Sequence, residues 1–402
     1  MEMKNINIPG EILSSAVELR HTLHKSAELS GREERTKRII MEYLSDRTSL
    51  ELHDMGAWFY AAYRSKEGKK RIAFRADMDA LPIDEGISLP YCSENRGVSH
   101  KCGHDGHSAS LAAFAEFIDK NGCENDIFFL FQHAEENGDG AEECDKLIAL
   151  ERIDEIYGYH NMPGFPLGSV SVHTGCAACA STGMTVMLRG KNSHASQPEN
   201  GRNPAFALAE LILAMPELVK EAAGDLELES PNPMMAFGAR GMVMCTVIGA
   251  GISSREDCEK AGSFGTSAGF AHLALTIRAE DEKSIETLEK SIIDIAEIVC
   301  ERHGLTCSVS YSDTFPETRN DGECAEKVRE AATALELPIA EWNEPFRSSE
   351  DFGYYTKKTK GALFYIGSGV LHAPLHTVDY DFADELIGVS ARLYASVALC
   401  GE

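Results

Sequence analysis

The sequence predicts an α/β chain with a mostly parallel sheet, interrupted by an inserted α+β unit, and three observations carry that expectation. Up to His160, short apolar runs alternate with amphipathic stretches of helix length, the pattern of parallel strands joined by helices. Near Ser181 the pattern gives way to a β-α-β-β-α-β (ferredoxin-like) order, and it returns from about Thr318. Polar clusters stand where three of the apolar runs stop, and ligands bind beyond the carboxyl ends of such strands. The expected division is a discontinuous first domain at residues 1–180 and 315–402 around an insertion at 181–314. A chain of 402 residues is too long for one compact core.

Residues 11–29 read as an amphipathic helix running into a charged turn, and Glu33 to Leu44 as a second helix. Arg71-Ile72-Ala73-Phe74 is a short strand that ends in Arg75-Ala76-Asp77-Met78-Asp79. Next comes Ser99-His100-Lys101-Cys102-Gly103-His104-Asp105-Gly106-His107, in which two glycines let the backbone fold tightly, followed by a helix to about Asp119. Ile127 to Phe131 is continuously apolar, as in a strand buried on both faces, and it ends in Gln132-His133-Ala134-Glu135-Glu136. A helix at 141–150 and a strand from Ile156 to Tyr159 lead to His160.

In the insertion, Thr185 to Leu188 is a strand, followed by a polar loop around His194 and a helix from about Pro204. That helix carries more apolar side chains (Phe206, Leu208, Leu211, Ile212, Leu213) than one face needs, which predicts a homodimer through this domain. Met242 to Ile248 and Ala271 to Arg278 read as strands. Residues 281–303 read as a helix with Ile285, Leu288, Ile292, Ile295 and Val299 in register, and Leu305 to Tyr311 as the last strand. A helix at 322–336, the stretch Ser348 to Phe352, a strand from Ala362 to Ile366 and the segment His372 to His376 complete the chain.

The net charge of -26 excludes a basic footprint for nucleic acid and argues against docking on anionic lipid. The first residues lack the apolar core of a signal peptide, and no stretch is long enough to span a bilayer. Twelve scattered cysteines fit a reducing, cytoplasmic setting. The lone Cys176-Ala-Ala-Cys179 pair has no second pair to make a metal framework.

Cys102 and His104 lie two apart, and imidazole with thiolate suits zinc or a related divalent ion better than magnesium or calcium. Taken alone, a loop with chance histidines would read the same way. Glu135 and Glu136 on a strand would point to opposite faces, so they need not share a task. One carboxylate at a metal and a second taking a proton from water is the minimum for metal-assisted hydrolysis. His160 and His376 also follow strands, which brings the candidate ligands to five: Cys102, His104, Glu136, His160 and His376.

Together these motifs resemble those of the two-domain metallohydrolases that include aminoacylase, hippurate hydrolase, the plant indole-acetyl-amino-acid hydrolases and bacterial carboxypeptidase G. The resemblance spans Leu19 to His24, Arg75-Ala-Asp77-Met-Asp79-Ala-Leu-Pro82, His100-Lys-Cys-Gly-His-Asp-Gly-His107, Ala134-Glu-Glu136, His160, His194, Ser349-Glu-Asp-Phe352 and Leu375-His376. It implies a zinc-peptidase-like catalytic domain with a lid and dimerisation domain inserted in it. It further implies two divalent ions per subunit, zinc or manganese, held by the five candidate ligands. Glu135 would be the general base and acid, and Asp77 would orient the site. His194 would stabilise the oxyanion, often from the partner subunit, and Arg278 would lie near the substrate carboxylate.

The implied activity is metal-dependent hydrolysis of N-acyl or N-aroyl amino acids or a related small amide. A dipeptidase or carboxypeptidase is the alternative, and a non-catalytic metal-binding scaffold a more distant one. The chain departs from the family pattern at Gly265-Thr266-Ser267-Ala268, where relatives usually carry Asn-Val-Ile-Pro, at His24 to Glu28, and at Gln132-His133. These departures bear on the substrate rather than on the metal.

Overall fold

The chain up to Ala177, Thr318–Glu344 and the residues from Glu350 onward form one unit. Ala178–Glu317 and Pro345–Ser349 form another, in a computed structural model that describes residues 6–224, 226–228, 230, 232–256, 264–342 and 344–399.

The first unit is built on a seven-stranded sheet. Its strands include β1 (Glu51–Asp54), β2 (Phe59–Tyr63), β3 (Arg71–Asp77), β4 (Asp126–Gln132), β5 (Glu155–Pro163) and β6 (Val170–Ser171), joined by Lys360–Gly369. Across the sheet the order is β1, β2, β4, β3, β5, Lys360–Gly369, β6. The central four strands are parallel and the outer ones antiparallel. Ile127 to Phe131 in β4 are wholly buried, as their unbroken apolar run requires. The helices Gly10–Lys25, His104–Asn121 and Glu385–Leu399 share the sheet's core through Ile12, Leu19, Leu111, Phe114 and Leu393.

Several details differ from the sequence reading, which has no counterpart for β1, β2 or β6. The edge strand β1 (Glu-Leu-His-Asp) is only partly buried, so no apolar alternation marks it. The helix expected at 141–150 is split into Gly140–Cys144 and Lys146–Glu151. β5 runs on to Pro163, so His160 lies inside a strand rather than just past one.

The second unit is a six-stranded antiparallel sheet, with strands in the order Leu226–Leu228, Met235–Gly238, Gly241–Ser253, Phe270–Ala279, Ala180–Arg189, Thr306–Phe315. The last four are the expected β-α-β-β-α-β set in ferredoxin-like order, and the first two extend it as a hairpin not read from the sequence. Alternate residues of Phe270–Ala279 (Ala271, Leu273, Leu275, Ile277) are buried in one core with the helices Ala205–Ala223 and Glu282–His303. Asp281 caps the second helix by accepting the Ser284 N–H at 2.7 Å. On the first helix, Phe206 and Leu213 are 75% and 79% exposed, leaving an apolar stripe. No described helix is long and apolar enough to cross a membrane.

Candidate active site

The site forms at the carboxyl ends of the parallel strands in the first unit. After β3 and a loop, Gly103 adopts φ +105°, and the helix starts at His104. A Cβ on Gly103 would come within 2.5 Å of Asn161 Oδ1 and 2.7 Å of the Tyr380 hydroxyl, so only glycine lets Cys102 and His104 sit this close to β5. At the end of β4 the chain turns through Ala134, whose φ is +50°. Glu33 fixes that turn by accepting the Ala134 N–H at 2.7 Å.

This turn corrects the expectation for the paired glutamates. They lie beyond the strand, where two-residue alternation no longer applies, and ligand atoms of both come within 4.8 Å of His104. The nearest oxygens of Glu135 and Glu136 are 3.8 and 3.7 Å from His104 Nε2.

Two further sets share Cys102, one with His104 and His160 and one with Glu136 and His376, each with ligand atoms within 4.8 Å of one another. Nε2 of His160 and Nε2 of His376 are each 3.3 Å from Cys102 Sγ. His376 Nε2 is 3.7 Å from Glu136 Oε1. The rings are oriented for donation: Nδ1 of His104 bonds Asp79 at 3.1 Å and Nδ1 of His160 bonds the Asn161 carbonyl at 2.8 Å, which turns each Nε2 inward. His104 Nε2 and Glu136 Oε1 are buried without a hydrogen-bond partner among the described residues. Such orphaned polar atoms are rare, and a cation between them, displacing the proton of the His104 ring, would satisfy both. Neutral imidazole, thiolate and carboxylate together suit zinc, and the residues present therefore fit metal ions.

These donors hold protons that a bound cation would displace. Burial, Glu136 and Glu135 push the Cys102 thiol well above its usual range, so ionising it calls for an added positive charge. Burial raises the Glu136 carboxyl to about 7 against the pull of His104. Burial lowers His104, but Asp77 and Asp79 outweigh it and hold the ring at about 10. Burial, Glu350 and Glu136 push Glu135 well above the usual carboxylate range. A carboxyl in such a setting keeps a proton readily, as a group that hands one to a leaving amine must.

Asp77 Oδ2 accepts from Arg75 Nη1 at 2.6 Å and lies 3.8 Å from His104 Nε2, while Oδ1 bonds His107 Nδ1 at 2.6 Å. Several partners were missed from the sequence. Asp79 ties two ligand segments together: Oδ1 meets His104, and Oδ2 accepts the Glu136 N–H at 3.0 Å. Arg75, 1% exposed, bridges Asp77, Glu350, Asp351 and Gln132. The alternation of charged and apolar residues in Arg75-Ala-Asp77-Met-Asp79 was the available signal, but it could not identify partners as distant as Asp351.

His194 and Arg278 belong to the second unit. His194 is exposed, pairs across a short antiparallel ladder with Thr266, and bonds Ser196 Oγ through Nδ1 at 2.7 Å. Arg278 donates to the Arg347 carbonyl at 2.9 Å and to Ser349 Oγ. Burial lowers its pKa, and no described carboxylate is among the groups that offset this.

Known proteins share this organisation. The chain is 29% identical over 371 residues to N-acetyldiaminopimelate deacetylase of Exiguobacterium sibiricum, covering 90% of this chain and 92% of that protein. It is 27% identical over 402 residues to hippurate hydrolase of Campylobacter jejuni, covering 98% and 99%. Among solved structures, the YXEP protein of Bacillus subtilis, a dinuclear metal binding peptidase from the M20 family, superposes with a TM-score of 0.79 at 22% identity, over 97% of this chain and 98% of that one. The sequence profile of peptidase family M20/M25/M40 matches residues 73–399, and the chain belongs to that family.

Proposed function

We propose that the protein is a metal-dependent amidohydrolase that cleaves the amide bond of N-acyl or N-aroyl amino acids with water. The observation that carries this reading is the convergence of Cys102, His104, Glu136, His160 and His376 in overlapping sets with ligand atoms within 4.8 Å of one another, with Glu135 beside them and with His104 Nε2 and Glu136 Oε1 lacking described hydrogen-bond partners. The N-acyl amino acid relatives support the substrate class.

Cys102, His104, Glu136, His160 and His376 would hold two divalent ions, zinc or manganese. Such ions lower the pKa of water and polarise a carbonyl. Glu135 takes one proton from the attacking water as the C–O bond forms, and returns it to the amide nitrogen as the C–N bond breaks. His194 donates to the oxyanion of the tetrahedral intermediate. Asp77, fixed by Arg75 and His107, orients the site beside His104. Arg278, free of any described carboxylate partner, receives the substrate carboxylate. Phe206 and Leu213 on the first helix of the insertion support a homodimer through that domain.

The test is a panel of N-acetyl and N-benzoyl amino acids against free dipeptides, using chelated protein with zinc or manganese added back. Turnover of the acyl-amino acids, restored by metal, is expected. Turnover of the dipeptides alone would replace this reading with a dipeptidase, and no metal-dependent turnover of either class would overturn it.

A further inference from the structure

His376 differs from the other four ligands. It is 52% exposed, whereas the Glu136 side chain is 13% exposed and Cys102, His104 and His160 are buried. It also sits in a left-handed backbone conformation, φ +60°, disfavoured for a residue with a Cβ. Packing therefore does little to hold it, and its position depends on how its loop is anchored.

Both ends of that loop return to one residue. The His376 N–H donates to the Lys101 carbonyl at 2.8 Å, and the Lys101 ammonium donates to the Tyr380 carbonyl at 2.8 Å. Between them the turn is closed by the Tyr380 N–H to the Thr377 carbonyl at 3.1 Å. Lys101 is wholly buried, which for a lysine requires a paired charge, and Glu85 supplies it through Oε1. Glu85 is fixed in turn by His24 Nε2 at 2.9 Å and the Ser93 N–H at 3.2 Å. Lys101 also directly precedes Cys102, the residue shared by both three-ligand sets.

We propose that Lys101 is a positioning residue for the metal ion held by Cys102, Glu136 and His376. Its buried ammonium, neutralised by Glu85, clamps the 376–380 turn so that the imidazole of His376 meets Cys102 and Glu136. This rests on the two-ion reading of the site. The clamp acts on one ion: His104 and His160, in the other set, are oriented by Asp79 and by the Asn161 carbonyl instead.

The test is metal binding rather than turnover. Chelator-stripped wild type, Lys101→Met, Lys101→Gln and His376→Ala are titrated with Zn(II) or Mn(II), by calorimetry and by chelator competition. Folding is checked by circular dichroism. Wild type takes up two ions and His376→Ala identifies the one that depends on this loop. Lys101→Met should weaken that same ion by about 10- to 100-fold, as loss of a group that orients a ligand does, and leave the other within a few-fold. Excess metal should then restore kcat with KM little changed. If Lys101→Met does not fold, Lys101→Gln, which keeps an N–H for the Tyr380 carbonyl, should show a smaller loss at the same ion. A folded variant that binds both ions as wild type does, or loses both equally, overturns the proposal. Wild type that binds no ion overturns instead the reading of the site on which the proposal rests.

Discussion

Removing the cation at the centre of the buried network tests how the site is held. Arg75→Met keeps the apolar stem and deletes the guanidinium. That group reaches Gln132 Oε1 at 2.8 Å, Asp77 at 2.6 Å, Asp351 at 2.8 Å and Glu350 at 2.9 Å. The side chains of Asp77 and Asp351 are fully buried and that of Glu350 is 5% exposed, so water cannot replace the lost partner. Breaking a buried pair from one side costs about 3–5 kcal/mol. A unit of this size loses about 2–4 °C of Tm per kcal/mol, so Tm should fall by about 6–20 °C. Scanning calorimetry and urea unfolding of chelator-stripped protein at neutral pH would measure it.

The pH dependence has a definite sign. Burial and Glu350 already hold Asp351 well above the usual carboxylate range, with Arg75 opposing them. Without Arg75 the folded-state pKa rises further above the unfolded value of about 3.9. The folded variant then binds protons that the unfolded chain does not, so its stability falls as pH rises through that window. The deficit should be smallest near pH 4 and largest at neutral pH and above. Adding Asp351→Asn should cost less than the sum of the two single changes. A loss under about 1 kcal/mol, or a deficit that does not vary with pH, would refute the argument that Arg75 acts by compensating buried charge.

Glu135→Gln preserves shape but cannot accept a proton; it should bind metal normally and lose turnover by about 100-fold or more, and activity within a few-fold of wild type would remove Glu135 from the role of base. Cys102→Ala takes away the atom common to two ligand sets, so elemental analysis should find less metal per folded chain, and full occupancy would sink the ligand assignment. His194→Ala should retain metal and lower kcat by about 100- to 1000-fold with a smaller change in KM. In the proposed homodimer, mixing His194→Ala with Glu135→Gln subunits then shows whose site the histidine serves: activity returns only if it acts on the partner.

Much of this site was legible from residue order. Cys102-Gly-His104 and Glu135-Glu136 are dense local signals, because metal chemistry needs particular donor atoms and those donors cluster after strands. The central strands and long helices were legible because burial imposes a period on the residues that enter a core, as in Ile127 to Phe131 and in the helix 282–303. β1, β2, β6 and the paired strands Leu226–Leu228 and Met235–Gly238 were missed: β1 is a partly buried edge strand without that period, and strands this short offer too few residues to show one.

By itself the sequence determined the donor types, the order of domains and the apolar periods, since each depends on residues near one another in the chain. The tertiary structure alone decided the rest. The direction of Glu135 and Glu136 depends on a left-handed turn at Ala134, which no side-chain pattern announces. Which histidine nitrogen faces inward depends on Asp79, 25 residues before His104. Arg75 finds Asp351 across 276 residues, and Lys101 finds Tyr380 across 279. Such pairings follow from the packing of strands and loops, and burial in a medium of low polarity then leaves each charge no partner but the one the fold brings to it.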